Sequence, residues 1–185
     1  MFDLANLTAG QRLLITGASG GVGSLAVQLA KAKGAHVTGV ASSRNEAFIR
    51  SLGADEFIDY TQEQFEHVAK DMGVVFDTVG ADAFQRAFAC LKPGGFLVTS
   101  VAFPTDEARQ HGVKVARVQC RPDAGELAEM GALVDQGRLR AHVDRVFPLA
   151  EAKQALTLSE EGRTRGKIVL QIIPERVLER NAAPA

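Results

Sequence analysis

Short apolar runs alternate along this chain with segments that have the periodicity of an amphipathic helix. Strands are predicted at residues 12–16, 35–41, 56–58, 73–77, 96–101 and 113–119. Helices are predicted between or after them, at residues 24–33, 44–52, 62–70, 82–91 and 124–136. Continuous apolar strands that alternate with helices indicate a parallel sheet covered on both faces, which is a doubly wound α/β fold of the Rossmann type.

Glycines and apolar residues refine this assignment. Gly34, Gly53 and Gly137 each follow a predicted helix, where a glycine commonly ends one. Three residues of the first helix recur at helical spacing and predict its buried face: Leu25, Leu29 and Ala32. We therefore predict that residues 1–140 form one dinucleotide-binding domain with this fold.

The last part of the chain is predicted to be separate. Residues 143–147 and 167–173 are strand-like, and residues 141–174 are expected to add extra strands and a helix to the fold. These two strands must pair with each other, cover another surface or expose their edges. Residues 175–185 are predicted to be a frayed tail.

Composition narrows the range of functions. The 185 residues carry a net charge of −1 with both signs interspersed, which predicts neither a nucleic-acid nor a membrane partner. Two distant cysteines form no CxxC pair and four histidines are scattered, so no metal site is expected. The chain starts without a basic segment and has no apolar run of the roughly 20 residues that span a bilayer, so a cytoplasmic location is expected.

The segment TGASGGVG, residues 16–23, follows a predicted strand and opens a helix, which is the setting of a dinucleotide-binding loop. Glycines allow a tight turn and a close approach of backbone to pyrophosphate, and the helix start offers amide donors to the anion. The predicted contacts in this loop are Ala18, Ser19, Gly20, Gly21, Val22 and Gly23.

The end of the second strand favours NADP(H) over NAD(H). NAD-specific domains place an acid about 20 residues after the loop, where it binds the ribose 2′-hydroxyl. No acid stands at that position here. Ser42 and Ser43 offer hydroxyl donors and Arg44 offers a planar cation, all of which suit a 2′-phosphate.

Two other enzyme classes also carry parts of this pattern. Short-chain dehydrogenases share the TGxxxGxG loop but need a Tyr-x-x-x-Lys pair, whereas the single tyrosine, Tyr60, is followed four residues later by Gln64. Methyltransferases share the LKPGG segment at residues 91–95 but pair an acid with their first glycine loop, and residues 12–16 contain none. Neither class fits the whole pattern.

From Gln11 to Asp59 the sequence closely resembles the cofactor domain of medium-chain dehydrogenases and reductases, above all the zinc-free quinone oxidoreductases with their AxxGGVG loop. The resemblance continues through FDTVG at residues 76–80, LKPGG at 91–95, RPD at 121–123, VFPLAEA at 146–152 and GKIVL at 166–170. It covers roughly residues 3–173, which makes it far more specific than the loop alone.

The resemblance implies further coenzyme contacts. Tyr60 follows the third strand near the expected adenosine end, and a tyrosine there can contact the 2′-phosphate in this family. Segments after the fourth and fifth strands are expected to flank the nicotinamide, and a later segment to reach the coenzyme; the residues concerned are Val79, Gly80, Ser100, Val101, Phe103 and Lys167. Asp77 is expected to tie down the backbone and not to move protons. No catalytic residue is assigned.

The resemblance therefore implies an NADPH-dependent oxidoreductase that passes hydride to a quinone or an enone. It also implies a β-rich catalytic domain of roughly a hundred residues ahead of Met1. Without that domain the chain is expected to be a fragment of a longer protein or a homodimer joined through residues 113–119. The alternative is a non-catalytic NADPH-binding module that senses coenzyme or docks on a partner. Substrate, activity of this form and oligomeric state stay open.

Overall fold

The computed structural model describes residues 2–104 and 106–173, which fall into two compact units that divide between Arg140 and Ala141. The strands of the first unit are β1 Arg12–Thr16, β2 His36–Ala41, β3 Glu56–Asp59, β4 Met72–Asp77, β5 Leu91–Thr99 and β6 Lys114–Arg117. Its helices are α1 Phe2–Ala5, α2 Gly23–Ala32, α3 Glu46–Ser51, α4 Phe65–Val68, α5 Ala81–Ala87, α6 Glu107–Gln110 and α7 Ala124–Asp135.

The six strands form one parallel sheet in the order β3-β2-β1-β4-β5-β6. Successive side chains of β1 point to opposite faces of this sheet and belong to different hydrophobic clusters. Leu13 and Ile15 pack with Val27 of α2, whereas Leu14 packs with Phe84 of α5. Because both faces are covered, the three central residues of β1, Leu13, Leu14 and Ile15, are all apolar and buried, and the predicted doubly wound Rossmann fold is confirmed.

The predicted buried face of α2 is wrong. Leu25, Leu29 and Ala32 are only half-buried, whereas Ala26, Val27 and Ala30 are buried. Gly23 and Ser24 at the helix start are buried too, so the contact face is built mainly from small residues. Small residues let the axis of α2 lie close to β1 and β2. The prediction failed because it assigned the buried face to the larger apolar residues of the helix.

Three predicted helices are shorter in the structure. Residues 62–70 form only the single turn α4, because the backbone becomes extended at Ala69 and must enter β4 at Met72. Residues 44–52 begin as a 3₁₀ turn, Ser43–Asn45, before α3. The predicted helix 82–91 likewise ends at Ala87 and continues as a 3₁₀ turn to Cys90.

Strand β5 is longer than predicted at its start and shorter at its end. Leu91 already pairs with Met72, and after an irregularity the pairing resumes with Phe96 opposite Val74. The Lys-Pro-Gly-Gly segment is therefore a bulge inside the strand and not the loop before it. The strand ends at Thr99, which moves Ser100 and Val101 into the loop at its carboxyl end.

The second unit contains β7 Val143–Pro148, α8 Ala152–Glu160 and β8 Lys167–Gln171. The two strands pair with each other in parallel, which is one of the three arrangements that their sequence allowed. Several large apolar side chains of this unit are exposed, namely Val146, Leu149, Leu156, Val169 and Ile172. That this unit packs on a catalytic domain remains a prediction.

Strand β6 forms one edge of the six-stranded sheet, as predicted for residues 113–119, although it extends only from Lys114 to Arg117. Dimerisation through this edge remains a prediction. In the described part of the chain, no helix is both long and apolar enough to cross a membrane. Residues 175–185, the predicted frayed tail, lie outside the described residues.

Candidate functional site

The sheet order reverses between β1 and β4, and the loops that leave their carboxyl ends diverge at that point. In open α/β sheets, ligands bind outside the carboxyl ends of the strands at such a switch point. Most of the predicted contact residues follow the carboxyl ends of the first five strands. Lys167 is different, because it is an exposed residue at the start of β8 in the second unit.

The bend after β1 depends on two glycines. Gly17 has a φ of +66°, and a Cβ there would lie 2.5 Å from Thr78 Oγ1. Gly23 starts α2, and a Cβ there would lie 2.8 Å from Ala18 Cα. Both positions exclude a side chain, because the loop closes tightly on itself and on the end of β4.

The structure corrects the role predicted for Ala18. Its side chain is fully buried, and its N–H donates to Val40 O at 3.1 Å, so neither group is available to a ligand. Gly20 N–H donates to Gly17 O at 3.0 Å, which closes the turn. Ala18 therefore joins the loop to β2, and the contact predicted for Gly20, Gly21, Val22 and Gly23 remains a prediction.

Helix α2 begins without a side-chain cap. Val22 occupies the N-cap position, where its apolar side chain makes no capping hydrogen bond and is 48% exposed. Helices usually begin with Ser, Thr, Asp or Asn, whose side chains accept hydrogen bonds from the first amides. The first amides of a helix lack carbonyl partners within it and carry partial positive charge. The Ser24 amide already donates to Gly20 O at 3.0 Å, so an anion at the α2 start would accept hydrogen bonds from the other first amides.

The residues predicted for the adenosine end follow β2 and β3, which are neighbours in the sheet. Ser42 is half-buried, whereas Ser43 and Arg44 are exposed within the 3₁₀ turn. Tyr60 is 58% exposed, and its N–H donates to Ala41 O at 3.3 Å, which places it beside the end of β2. The fold brings these four residues to one end of two adjacent strands.

Asp59 also lies at this end of β2 and β3, and the sequence analysis did not identify it. It is the last residue of β3 and pairs in register with Ala41 of β2. Its Oδ1 accepts hydrogen bonds from the Thr61 N–H at 2.9 Å and the Thr61 hydroxyl at 2.7 Å. Desolvation raises the pKa of Asp59, but hydrogen bonds from Thr61 and Ser43 outweigh it and hold that pKa below its ordinary value. Ser43 is thus engaged by a carboxylate.

Asn45 is a second residue that the sequence did not single out. It is only 6% exposed, and its Nδ2 donates to Ser19 Oγ at 3.1 Å and to Ser42 Oγ at 3.3 Å. Its backbone N–H also donates to Ser42 O at 2.9 Å. One side chain therefore links the loop after β1 to the loop after β2.

Asp77 organises the middle of the site and carries the structural role expected of it. It is fully buried at the end of β4, and its carboxylate accepts hydrogen bonds from the hydroxyls of Thr16 at 2.8 Å and Thr99 at 2.9 Å. It also accepts from the backbone amides of Val79 at 3.1 Å and Gly80 at 3.0 Å. The ends of β1, β4 and β5 are thus joined through one carboxylate.

The predicted nicotinamide end is formed by the loops after β4 and β5. Val79, Val101 and Phe103 are 55%, 46% and 72% exposed, so these loops present apolar side chains at the sheet end. Gly80 is buried, and Ser100 is half-buried with its N–H donating to Asp77 O at 2.9 Å. The guanidinium of Arg117 lies 4.1 Å from the centroid of the Phe103 ring.

Comparison with known proteins decides the family. The family model described as "Zinc-binding dehydrogenase" matches residues 52–170, which is more than half of the chain. The chain belongs to the zinc-binding dehydrogenase family. Among residues 2–104 and 106–173, no group of three or more His, Cys, Asp or Glu side chains could hold a metal ion. The side chains in those ranges therefore do not fit a zinc site, and no step is assigned to zinc.

Several members of this family are similar to the chain in sequence. It is 34% identical over 197 residues to "NAD(P)H oxidoreductase RTN4IP1, mitochondrial" of Danio rerio, in an alignment that covers 91% of the chain and 51% of the relative. It is 33% identical to "Chloroplast envelope quinone oxidoreductase homolog" of Arabidopsis thaliana, with coverage of 86% and 52%. The chain spans about half the length of these curated relatives.

Solved structures of the family have the same fold. A quinone oxidoreductase from Coxiella burnetii superposes with a TM-score of 0.86 at 36% identity, covering 93% of the chain and 56% of that protein. A structure described as an NAD-dependent alcohol dehydrogenase superposes with a TM-score of 0.84 at 26% identity, covering 93% and 54%. Proteins named for different substrates therefore share this backbone.

Proposed function

We propose that this chain is the coenzyme-binding part of an NADPH-dependent oxidoreductase that reduces a quinone or an enone. The observation that carries the proposal is the uncapped start of α2 at Val22, in a bend where Gly17 and Gly23 leave no room for a Cβ. A pyrophosphate would replace the missing cap, because it accepts hydrogen bonds from the first amides and is favoured by the helix dipole. The oxidoreductase names of its relatives support the same conclusion.

The position of the pyrophosphate at the α2 start would fix where the two ends of the coenzyme lie. From the α2 start, the adenosine would extend toward the ends of β2 and β3, where Ser42, Arg44 and Tyr60 lie. The nicotinamide would extend toward the ends of β4 and β5, beside Val79, Gly80, Ser100, Val101 and Phe103. Lys167 remains a predicted contact from the second unit.

The protein's own part in the reaction would be positioning. The Asp77 hydrogen bonds hold the loops after β4 and β5 in a fixed relation, so that their apolar side chains would form one wall beside the nicotinamide. When bound, the coenzyme would supply the hydride, and a proton from solvent would complete reduction of the acceptor. Such a transfer depends mainly on placing donor and acceptor carbons together, and it needs neither a nucleophile nor a metal.

A charge placed at the α2 start tests the anchor. Val22→Asp would put a carboxylate where the pyrophosphate should bind, and Val22→Asn would put a neutral group of the same shape there. Titration of NADPH fluorescence should show that Val22→Asp weakens binding at least about tenfold, because two like charges at contact distance repel by more than about 1.4 kcal/mol. Thermal stability should not fall, since a negative charge suits a helix start.

The matched control decides between charge and shape. Val22→Asn can cap the first amides as Val22→Asp can, but it adds no charge, so it should weaken NADPH binding clearly less than Val22→Asp does. Equal binding of NADPH by all three proteins would refute the pyrophosphate assignment. An assay of NADPH oxidation with a simple quinone then separates the enzyme from the non-catalytic module, because the module would bind NADPH tightly without turnover.

A further inference from the structure

We propose that Asn45 is a positioning residue that turns the hydroxyls of Ser19 and Ser42 into hydrogen-bond donors for the 2′-phosphate of NADPH. The inference rests on the proposed function and deepens it, because it names the groups that would separate NADPH from NADH. It also moves Ser19 from the pyrophosphate to the 2′-phosphate. The juxtaposition that carries it is one buried amide between two hydroxyls from different loops.

The direction of these hydrogen bonds is the first step. An amide NH₂ group can only donate, so each serine oxygen that receives a bond from Asn45 Nδ2 acts as an acceptor. The proton of each hydroxyl must then point toward some other acceptor. Phosphate oxygens only accept at neutral pH, so a pair of hydroxyls held in this way matches a phosphate and offers no acceptor toward it.

The position of the two hydroxyls is the second step. Ser19 lies in the loop after β1 and Ser42 directly follows β2, and these two strands pair from Arg12 opposite His36 to Thr16 opposite Val40. Both hydroxyls contact the same nitrogen atom, so they flank a single point between the two loops. Both serines are half-buried and neither is enclosed in the core. A phosphate group that spans the two loops could accept from both.

The rigidity of the arrangement is the third step. Asn45 is 6% exposed, and its backbone N–H holds Ser42 O at 2.9 Å in addition to the side-chain contact. A buried amide has few alternative positions, so the two hydroxyls are oriented before any ligand arrives. Ser43 is different, because its hydrogen bonds go to the carboxylate of Asp59. We therefore assign the phosphate contact to Ser42 and not to its neighbour.

Binding of NADPH and NADH to the 185-residue chain tests the proposal, with competition by 2′,5′-ADP and 5′-AMP as a second readout. Asn45→Asp keeps the shape but accepts hydrogen bonds from both hydroxyls, which turns their protons inward and adds a negative charge. We expect it to weaken NADPH and 2′,5′-ADP by at least about a hundredfold, since two donors are lost and a charge repels the phosphate. NADH and 5′-AMP should change less than about threefold.

Milder variants separate orientation from folding. Asn45→Ala should weaken NADPH about tenfold and leave NADH nearly unchanged, as the loss of one well-oriented donor would do. If that variant unfolds, Ser42→Ala provides the same measurement at a half-buried position, and it should also weaken NADPH selectively. Ser42→Ala combined with Asn45→Asp should be no weaker than Asn45→Asp alone, because the hydroxyl is already turned away.

The outcomes are distinct. Equal weakening of NADPH and NADH in the Asn45 variants would show a purely structural role and overturn this inference while leaving the proposed function intact. Unchanged NADPH binding in Ser42→Ala would also overturn it. Failure of the unchanged chain to bind either coenzyme would overturn the proposed function, and this inference with it.

Discussion

Replacement of Asp77 by asparagine is the sharpest test of how the ends of the central strands are held. The carboxylate is fully buried, and its Oδ1 accepts from the Thr16 hydroxyl and from the amides of Val79 and Gly80. Its Oδ2 accepts from the Thr99 hydroxyl at 2.9 Å and again from Gly80 at 3.2 Å. The side-chain oxygen of the Asp77→Asn variant could keep the first set, but the new NH₂ group would face two donors.

The magnitude follows from these contacts. Thr99 Oγ1 already accepts hydrogen bonds from the amides of Val101 and Ala102, so it cannot easily accept a third one from the new NH₂ group. The new NH₂ group therefore faces the Thr99 hydroxyl and the Gly80 amide, which are donors too. An unsatisfied buried group of this kind costs about 1–3 kcal/mol. The remaining bonds lose their charge assistance, while relief from burying a charge offsets part of that loss. We expect a net loss of about 3 kcal/mol in the free energy of unfolding.

Urea unfolding followed by circular dichroism measures this loss. With a slope of about 1–3 kcal/mol per molar urea for a small domain, the midpoint should fall by at least about 1 M. Asp123→Asn is the matched control, because Asp123 caps α7 by accepting from Glu126 N at 3.0 Å and asparagine caps equally well. A change below about 0.5 kcal/mol for Asp77→Asn, equal to that of the control, would refute the reasoning.

Two further predictions concern charged pairs elsewhere in the first unit. Arg86→Met should cost about 2 kcal/mol in urea unfolding, because it leaves Glu66, which is 7% exposed, without the guanidinium 3.3 Å away. The added change Glu66→Gln should restore most of that loss, and no restoration would contradict a charge-based cost. Burial raises the pKa of Asp55, but hydrogen bonds from Lys31 and the Val37 amide outweigh it and lower that pKa below 3.8. Ionised Asp55 therefore stabilises the folded chain at pH values above the pKa of the unfolded state, and this stabilisation is lost as the pH falls through the lower pKa of the folded state. The difference in melting temperature between Lys31→Met and the unchanged chain should accordingly shrink below about pH 4. A constant difference from about pH 7 to about pH 2.5 would exclude the linkage.

The central strands could be predicted because each is a short apolar run that lies within a covered sheet. Strand β1 matches its predicted bounds, and β4 differs by one residue. The bulge in β5 could not be predicted, because it depends on the pairing of Leu91 with Met72, which lies 19 residues earlier in the chain. The single turn α4 was likewise overestimated, since the apolar spacing of its segment continues after the backbone has turned toward β4.

The site shows the same division between local and distant information. The glycine bend and the helix that follows it are adjacent in sequence, so their pattern indicates both. Asn45 and Asp59 gain their roles only when β1, β2 and β3 lie side by side, which brings Ser19 to Asn45 and Ser43 to Asp59. An asparagine soon after the second strand and an acid at the end of the third are the signals that could have directed attention to them.

Coenzyme selectivity of the proposed site would depend on such side chains. The similar structures include one named for NAD, and its backbone superposes almost as well as that of the quinone oxidoreductase. At the end of β3, Asp59 would repel a 2′-phosphate, but its carboxylate is engaged by Thr61 and Ser43. Because that charge is already compensated by donors, two further hydroxyls oriented toward the ligand would be enough to favour NADPH. Under this proposal, selectivity would depend on the direction of a few protons, which the buried amide of Asn45 would control.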